Sequence, residues 1–303
     1  MTTVAELPAS AVPVQALDHP PAGYADLGPL TALTDSSFCV RLVTDAALDG
    51  SFTRTGRLRW RRAGTRLELV NPFTTADLSD ESLVTQLSAL VDVGAISGRE
   101  EFEACFVALV TGTGTDRGQA WHAFYANSVR ELRAGTAEFS PVHQRARSLL
   151  TGTSVLEVGC CFGLFALQCA QEGFAVTATD ICPGALDHLD DASRNLGLPV
   201  RTALGDARTL PFTDNSFDTV TLLHLLEHLE SADVERAISE ACRVASARVV
   251  IAVPYEPEPS PHFGHLELLR EEDLVRWSRL TAGHRTTIFA DHGGWLVIDL
   301  EQD

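Results

Sequence analysis

From Ser154 to Leu300 the chain alternates short apolar runs with stretches of helical spacing, and this alternation restricts the fold more than any other feature. Residues 154–158, 175–179, 200–204, 217–223 and 248–253 read as strands, with helices between them at 162–171, 185–196 and 231–244. Strands joined through helices pair in parallel, because the crossover returns the chain to its starting edge and covers the sheet on both faces. A proline-rich loop and a helix at 270–280 follow, and then runs at 285–289 and 295–300. Only the turn at 291–294 separates those two runs, so they must be antiparallel. The expectation is a doubly wound α/β sheet with an antiparallel last strand. Such sheets bind ligands beyond the carboxyl ends of their strands, so residues placed there carry the functional argument.

Upstream the pattern changes. Residues 1–30, rich in Ala and Pro and without period, read as a flexible arm with no signal-peptide character. Residues 31–115 read as a small α+β accessory domain: a strand near 38–44, a hairpin of 57–62 with 66–70, and helices at 80–93 and 99–109. Residues 116–150 read as connecting helices, the stretch 121–128 folding over the ligand as a lid, and 151–303 form the α/β domain.

Charge narrows the partners. Arginine supplies all 23 basic side chains against 41 acidic ones, for a net charge of −18. A surface this negative repels phosphate backbones and anionic membranes, which argues against nucleic acid and for a neutral or cationic small molecule. No apolar run reaches the ~18 residues that span a bilayer. The 7 cysteines are scattered and form no Cys-x-x-Cys pair, which fits a reducing cytoplasm rather than a disulfide framework. Nothing in the pattern speaks against a homodimer.

The most informative segment is Val155-Leu-Glu157-Val-Gly159-Cys-Cys161-Phe-Gly163, an apolar strand entering a small-residue turn and then a helix. Glycines there let a ligand approach the backbone. Counted from Gly159, the later glycine positions of a dinucleotide fingerprint hold Cys161 and Leu164, so that motif fails. Glu157 beneath the turn would repel a pyrophosphate but can anchor an ammonium group. Asp180, followed by Ile181, ends the second strand, where a carboxylate can accept from both hydroxyls of a ribose. Asp206-Ala207 follows the third strand, where an adenine amino group can be met, and Leu223 closes the fourth.

Together these residues resemble the class I S-adenosylmethionine-dependent methyltransferase family. Its glycine-rich motif corresponds to Glu157, Gly159 and Gly163, its ribose acid to Asp180 and its adenine contact to Asp206-Ala207. Leu210-Pro-Phe212, Ser216-Phe-Asp218 and Leu226-Glu-His-Leu229 are similar to the family's fourth-strand signature. The resemblance implies a seven-stranded Rossmann-like sheet, S-adenosylmethionine as methyl donor, and methyl transfer as the activity. Cys161 departs from it, standing where the family usually has glycine, and leaves open an inactive, cofactor-holding relative. The turn, the Phe124-Tyr-Ala-Asn-Ser128 stretch and the added amino-terminal unit also resemble the mycofactocin oligosaccharide methyltransferases, which implies a glucose hydroxyl as acceptor. A small-molecule O-methyltransferase and an N- or C-methyltransferase of ubiquinone-biosynthesis type are the alternatives.

Transfer to a hydroxyl needs a base within hydrogen-bond reach. His262 and His265, in the loop after the fifth strand, are the first candidates, with His228 and His224 at the floor beside the sulfonium. Tyr125, Asn127, Tyr255 and Glu256 are expected to meet the substrate. His224-x-x-Glu227-His228 matches an inverted zinc-peptidase motif in form, but His224 falls where a strand ends rather than on a helix. His262-x-x-His265 with Glu256 or Glu258 could also take a metal, yet no further ligand pattern accompanies it, and no metal is expected.

Overall fold

The structure is a computed structural model and describes residues 38–281 and 283–300. The arm expected at 1–30 lies outside the described residues. The accessory part contains β1 (Cys39–Val43), β2 (Thr53–Thr55), β3 (Leu58–Ala63), β4 (Arg66–Val70), α1 (Asp80–Asp92) and α2 (Gly98–Thr111). Its four strands run in the order β1-β4-β3-β2, with β1 parallel to β4 and the other pairs antiparallel. The three-residue β2 was not legible beforehand, since Thr-Arg-Thr is too short to show alternation.

Next come α3 (Arg117–Ala134) and α4 (Ser140–Ser148). Asp116 caps α3 by accepting from Gln119 N at 2.9 Å, and Gly135, at φ 75°, ends it. The sheet domain then runs β5 (Ser154–Val158), α5 (Leu164–Gln171), β6 (Ala175–Asp180), α6 (Pro183–Leu196), β7 (Val200–Leu204) and β8 (Phe217–Leu223). After it come α7 (Ser231–Val244), β9 (Ala245–Val253), α8 (Glu271–Leu280), β10 (Arg285–Ala290) and β11 (Gly294–Asp299). The seven strands lie in the order β7-β6-β5-β8-β9-β11-β10, and β11 is antiparallel to both neighbours. This is the doubly wound sheet expected from the sequence.

Two apolar clusters sandwich it. One joins α7 and α8 to the sheet through Leu156, Val220, Leu222, Val234, Ile238, Leu274 and Trp277. The other joins α5 and α6 to the opposite face and continues without a break into Leu58, Leu67, Leu83, Phe102 and Phe106 of the accessory part. The amino-terminal unit is therefore packed into the same core as the sheet domain.

The stretch read as a lid is part of this core. In α3, Trp121, Phe124, Tyr125, Asn127 and Ser128 are all buried, and the helix packs on α5 and α6. Its aromatic residues look inward to other rings, so it cannot swing open over a ligand without breaking the core. What lies over the carboxyl ends of the strands is α2: Phe106 stacks on Phe162 of the glycine-rich turn at 5.2 Å between centroids. Phe102 meets His262 and Phe263 of the loop after β9 at 5.6 and 5.5 Å.

Candidate active site

The turn after β5 is built by three left-handed residues, Gly159 (φ 71°), Cys161 (φ 50°) and Gly163 (φ 65°). Gly159 N and Cys160 N both donate to Thr179 O, at 2.8 and 3.0 Å, which ties the turn to the tip of β6. A Cβ on Gly159 would come within 2.6 Å of Leu225, and one on Gly163 within 2.4 Å of Leu189. The space beside these glycines is thus taken by leucines. Their role is to let the turn pack, rather than to admit a ligand at those two Cα atoms. Cys161 takes a conformation that costs a side-chain-bearing residue roughly 1–2 kcal/mol. Burial first, and then the nearby charges of Asp180 and Asp80, disfavour its thiolate.

Glu157 is 6% exposed, and burial pushes its carboxyl from 4.5 up to about 8, helped by the nearby Asp180. One backbone N–H, that of Ala166 in the first turn of α5, donates to it at 3.0 Å. Asp180 stands at the tip of the next strand, 5% exposed, its oxygens accepting from Cys161 N at 2.8 Å and Cys182 N at 2.9 Å. Burial raises its affinity for a proton, and those N–H groups with the Arg99 charge oppose the rise. Ile181 adds its own N–H to the set around Asp180. Two buried acids on adjacent strands can accept hydrogen bonds from groups that carry N–H or O–H donors.

Asp206 differs from expectation. Arg208 holds it through Nε at 2.9 and 3.0 Å and through its own backbone N–H at 2.8 Å, which keeps the carboxyl below the usual range. Arg208 in turn reaches Asp233 at 2.9 Å. An adenine amino group would have to share Asp206 with this guanidinium, leaving the backbone at Ala207 as the freer contact.

Beyond the tip of β8, past the half-buried Leu223, lies a cluster of His and Glu side chains. Residues 226–228 form a single 3-10 turn, not the α-helix that a zinc-peptidase motif requires, and His224 precedes it at φ 50°. Glu227 is fully buried, with neither carboxylate oxygen hydrogen-bonded, and burial pushes it from 4.5 up to about 8. His224 Nδ1 approaches it at 3.4 Å and His265 Nε2 at 3.9 Å. His228 donates from Nδ1 to Gly264 O at 3.2 Å, and His265 Nδ1 meets Glu256 Oε2 at 2.7 Å. Burial lowers His224 to about 3 and His228 to about 4, so both rings are neutral at pH 7.

Several expected substrate contacts are placed elsewhere. Tyr125 is 1% exposed among Trp121, Phe124 and Phe162, and its hydroxyl has no partner. Asn127 spends both amide hydrogens on Thr75 O at 2.9 Å and Leu78 O at 2.7 Å, clamping the loop before α1. Tyr255 lies against Gly294, where a Cβ would come within 2.4 Å of its ring. His262 packs on Phe102 and Phe263 and docks the loop onto α2. Glu256 orients His265 and also accepts from Ser260 Oγ at 2.9 Å, a supporting role. The structure also brings in Arg99 of α2, paired with Glu103 at 2.6 Å, whose charge acts on both Asp180 and His228. Nothing in the sequence pointed to it, because an i,i+4 Arg–Glu pair reads as a solvated helix face.

Comparison with known proteins matches residues 156–253 to the family described as "Methyltransferase domain". This segment is similar to a methyltransferase domain. A ubiquinone biosynthesis O-methyltransferase of Paraburkholderia xenovorans is 32% identical over 117 residues, 35% of this chain and 49% of that protein. An uncharacterized protein of Mycobacterium tuberculosis is 29% identical over 117 residues, 39% of this chain and 42% of that protein. The chain thus spans about half the length of the curated relatives it matches. Among solved structures, a Methanococcus maripaludis protein described as a putative S-adenosylmethionine-dependent methyltransferase aligns with TM-score 0.46 and 16% identity, covering 60% of this chain and 94% of that one. Magnesium protoporphyrin IX methyltransferase from Synechocystis aligns with TM-score 0.41 and 18% identity, covering 63% of this chain and 90% of that one. Glu157, Asp180, Asp206 and Glu227 lie within the matched residues, whereas His265 and Glu256 lie beyond them. Among the described residues no helix is long and apolar enough to cross a membrane.

Proposed function

We propose that the chain is an S-adenosylmethionine-dependent methyltransferase acting on a hydroxyl of an uncharged small molecule or oligosaccharide. The observation that carries this reading is Glu157: a carboxyl 6% exposed beneath the turn, with one backbone N–H as its partner and a proton affinity raised by burial. Such a group is costly to bury alone and fits a ligand that brings its own ammonium. Asp180, on the neighbouring strand tip, suits the two ribose hydroxyls, and the backbone at Ala207 with the open edge of Asp206 suits the adenine. When bound, S-adenosylmethionine supplies an electrophilic methyl group on a sulfonium.

The chain's own residues do the remaining work. The turn from Gly159 to Gly163 and the tips of β5 and β6 fix donor position, which is the main demand of an in-line displacement. The acceptor belongs beside Leu223, against His224, Glu227, His228 and His265. His265, oriented through Nδ1 by Glu256, keeps the lone pair on Nε2 and can take a hydroxyl proton there. The net charge of −18 disfavours polyanionic acceptors and leaves a neutral glycan acceptable. The resemblance to mycofactocin oligosaccharide methyltransferases makes a glucose hydroxyl of that glycan the first acceptor to try.

Calorimetry with S-adenosylmethionine and an S-adenosylhomocysteine product assay on candidate acceptors test the reading. Asp180→Asn should weaken cofactor binding by at least tenfold; wild-type affinity in that variant would remove the ribose assignment. A cofactor-holding protein without activity is the second reading, favoured by the Cys161 side chain in the turn. Cofactor binding without product on any hydroxylated acceptor, restored by Cys161→Gly, would support it.

A further inference from the structure

We propose that Glu227, His228 and His265 form a binding site for one divalent transition-metal ion on the acceptor side of the cleft, a role that rests on the methyltransferase reading. One ligand atom from each of the three lies within 4.8 Å of the other two. A metal at ~2.0–2.2 Å from each would set them roughly 3–3.5 Å apart, a closing of about an ångström that side-chain rotation supplies. Two further observations point the same way.

The first is Glu227 itself. It is fully buried, both of its oxygens lack a hydrogen-bond partner, and His224 and His265 approach it without satisfying it. A buried carboxylate left unpaired is strongly unfavourable, and a cation is the partner that removes the cost. The second is the support behind the imidazoles. His228 gives its Nδ1 proton to Gly264 O, and His265 sets Nδ1 against Glu256, whose other oxygen accepts from Ser260 Oγ. Each ring is left with its Nε2 lone pair for the site. Imidazoles that bind metal are oriented in this manner, by a carbonyl or a carboxylate on the far nitrogen. Leu266 N also donates to Glu227 O at 2.8 Å, pinning the loop that carries His265 to the turn that carries Glu227 and His228.

Two imidazoles and one carboxylate suit Zn2+, Mn2+, Fe2+ or Co2+ better than Mg2+ or Ca2+, which favour all-oxygen sets. Three protein ligands leave open positions, as in sites that activate an oxygen. With the ion bound, His265 Nε2 is a ligand and no longer the base; an acceptor hydroxyl oxygen in an open position instead loses its proton to water, its acidity raised by the ion. Its electron pair then forms the new bond to the methyl carbon while the carbon–sulfur bond breaks, sulfur keeping that pair.

The test uses the full chain, stripped with EDTA and desalted. Titration with Co2+ should produce a visible ligand-field spectrum that saturates at one ion per chain, and calorimetry with Zn2+ or Mn2+ should give the same stoichiometry. His228→Ala and His265→Ala should each abolish the spectrum. Glu256→Gln, which touches only the supporting shell, should weaken Co2+ binding about 10–100-fold. S-adenosylmethionine affinity is measured on every variant, and its retention shows that they fold. No Co2+ spectrum in a wild-type chain that binds S-adenosylmethionine overturns the metal site and leaves the methyltransferase reading standing. A Co2+ site without S-adenosylmethionine binding overturns the methyltransferase reading and leaves the metal site.

Discussion

Glu157→Gln should stabilise the protein and weaken its cofactor binding at once. In the folded chain burial holds this carboxyl at about 8, whereas unfolding returns it to 4.5. Its contribution to stability is therefore fully present below pH ~4.5 and is lost as pH rises toward ~8. At pH 7 about 2.5 units of that interval have been crossed, which at ~1.4 kcal/mol per unit is roughly 3 kcal/mol of lost stability. Glutamine keeps an oxygen for Ala166 N and does not titrate, so it escapes this loss. Its amide hydrogens lack a ready acceptor, a cost of about 1–2 kcal/mol, which leaves a net gain of about 1–2 kcal/mol at pH 7. The cofactor's ammonium, in turn, loses a charge-assisted partner worth ~1.5–3 kcal/mol, or about 10–100-fold in affinity. Urea unfolding at pH 5 and pH 8 measures the first effect: the wild type should lose stability between the two pH values relative to the variant. Calorimetry measures the second, and in wild type at pH 7 binding should release a proton from Glu157, seen as a dependence of enthalpy on buffer. A variant less stable than wild type at pH 8, or binding without proton release, would refute the reasoning.

Three further outcomes are expected. Tyr125→Phe removes a buried, unpaired hydroxyl and should leave methyl transfer unchanged and stability equal or up by about 1 kcal/mol, whereas a tenfold loss of turnover would return Tyr125 to the substrate site. Asn127→Ala strips Thr75 O and Leu78 O of their donor and should cost about 2–3 kcal/mol in urea unfolding; a cost below about 0.5 kcal/mol would show that the clamp carries no weight. Gly163→Ala puts a Cβ 2.4 Å from Leu189 at φ 65° and should cost about 2–4 kcal/mol, unless thermal melts show the turn relaxing freely.

The sequence by itself determined the sheet and where to look on it. Apolar runs of strand length between helical stretches, and a turn too short for a crossover before β11, allow few topologies, because hydrophobic period and connection length act locally. Glu157 and Asp180 were legible for the same reason: each follows directly from its place at a strand end. Only the tertiary structure decided which way side chains faced. Tyr125 and Asn127 lie on a helix whose mixed aromatic and polar character fits either a core or a pocket, and packing on α5 and α6 settled it as core. Arg99 and the Glu227–His228–His265 cluster depend on contacts between residues far apart in the chain, set by how α2 and the loop after β9 fold over the strand tips. Linear spacing carries no record of such an encounter, since it arises when separate elements bury apolar surface against one another.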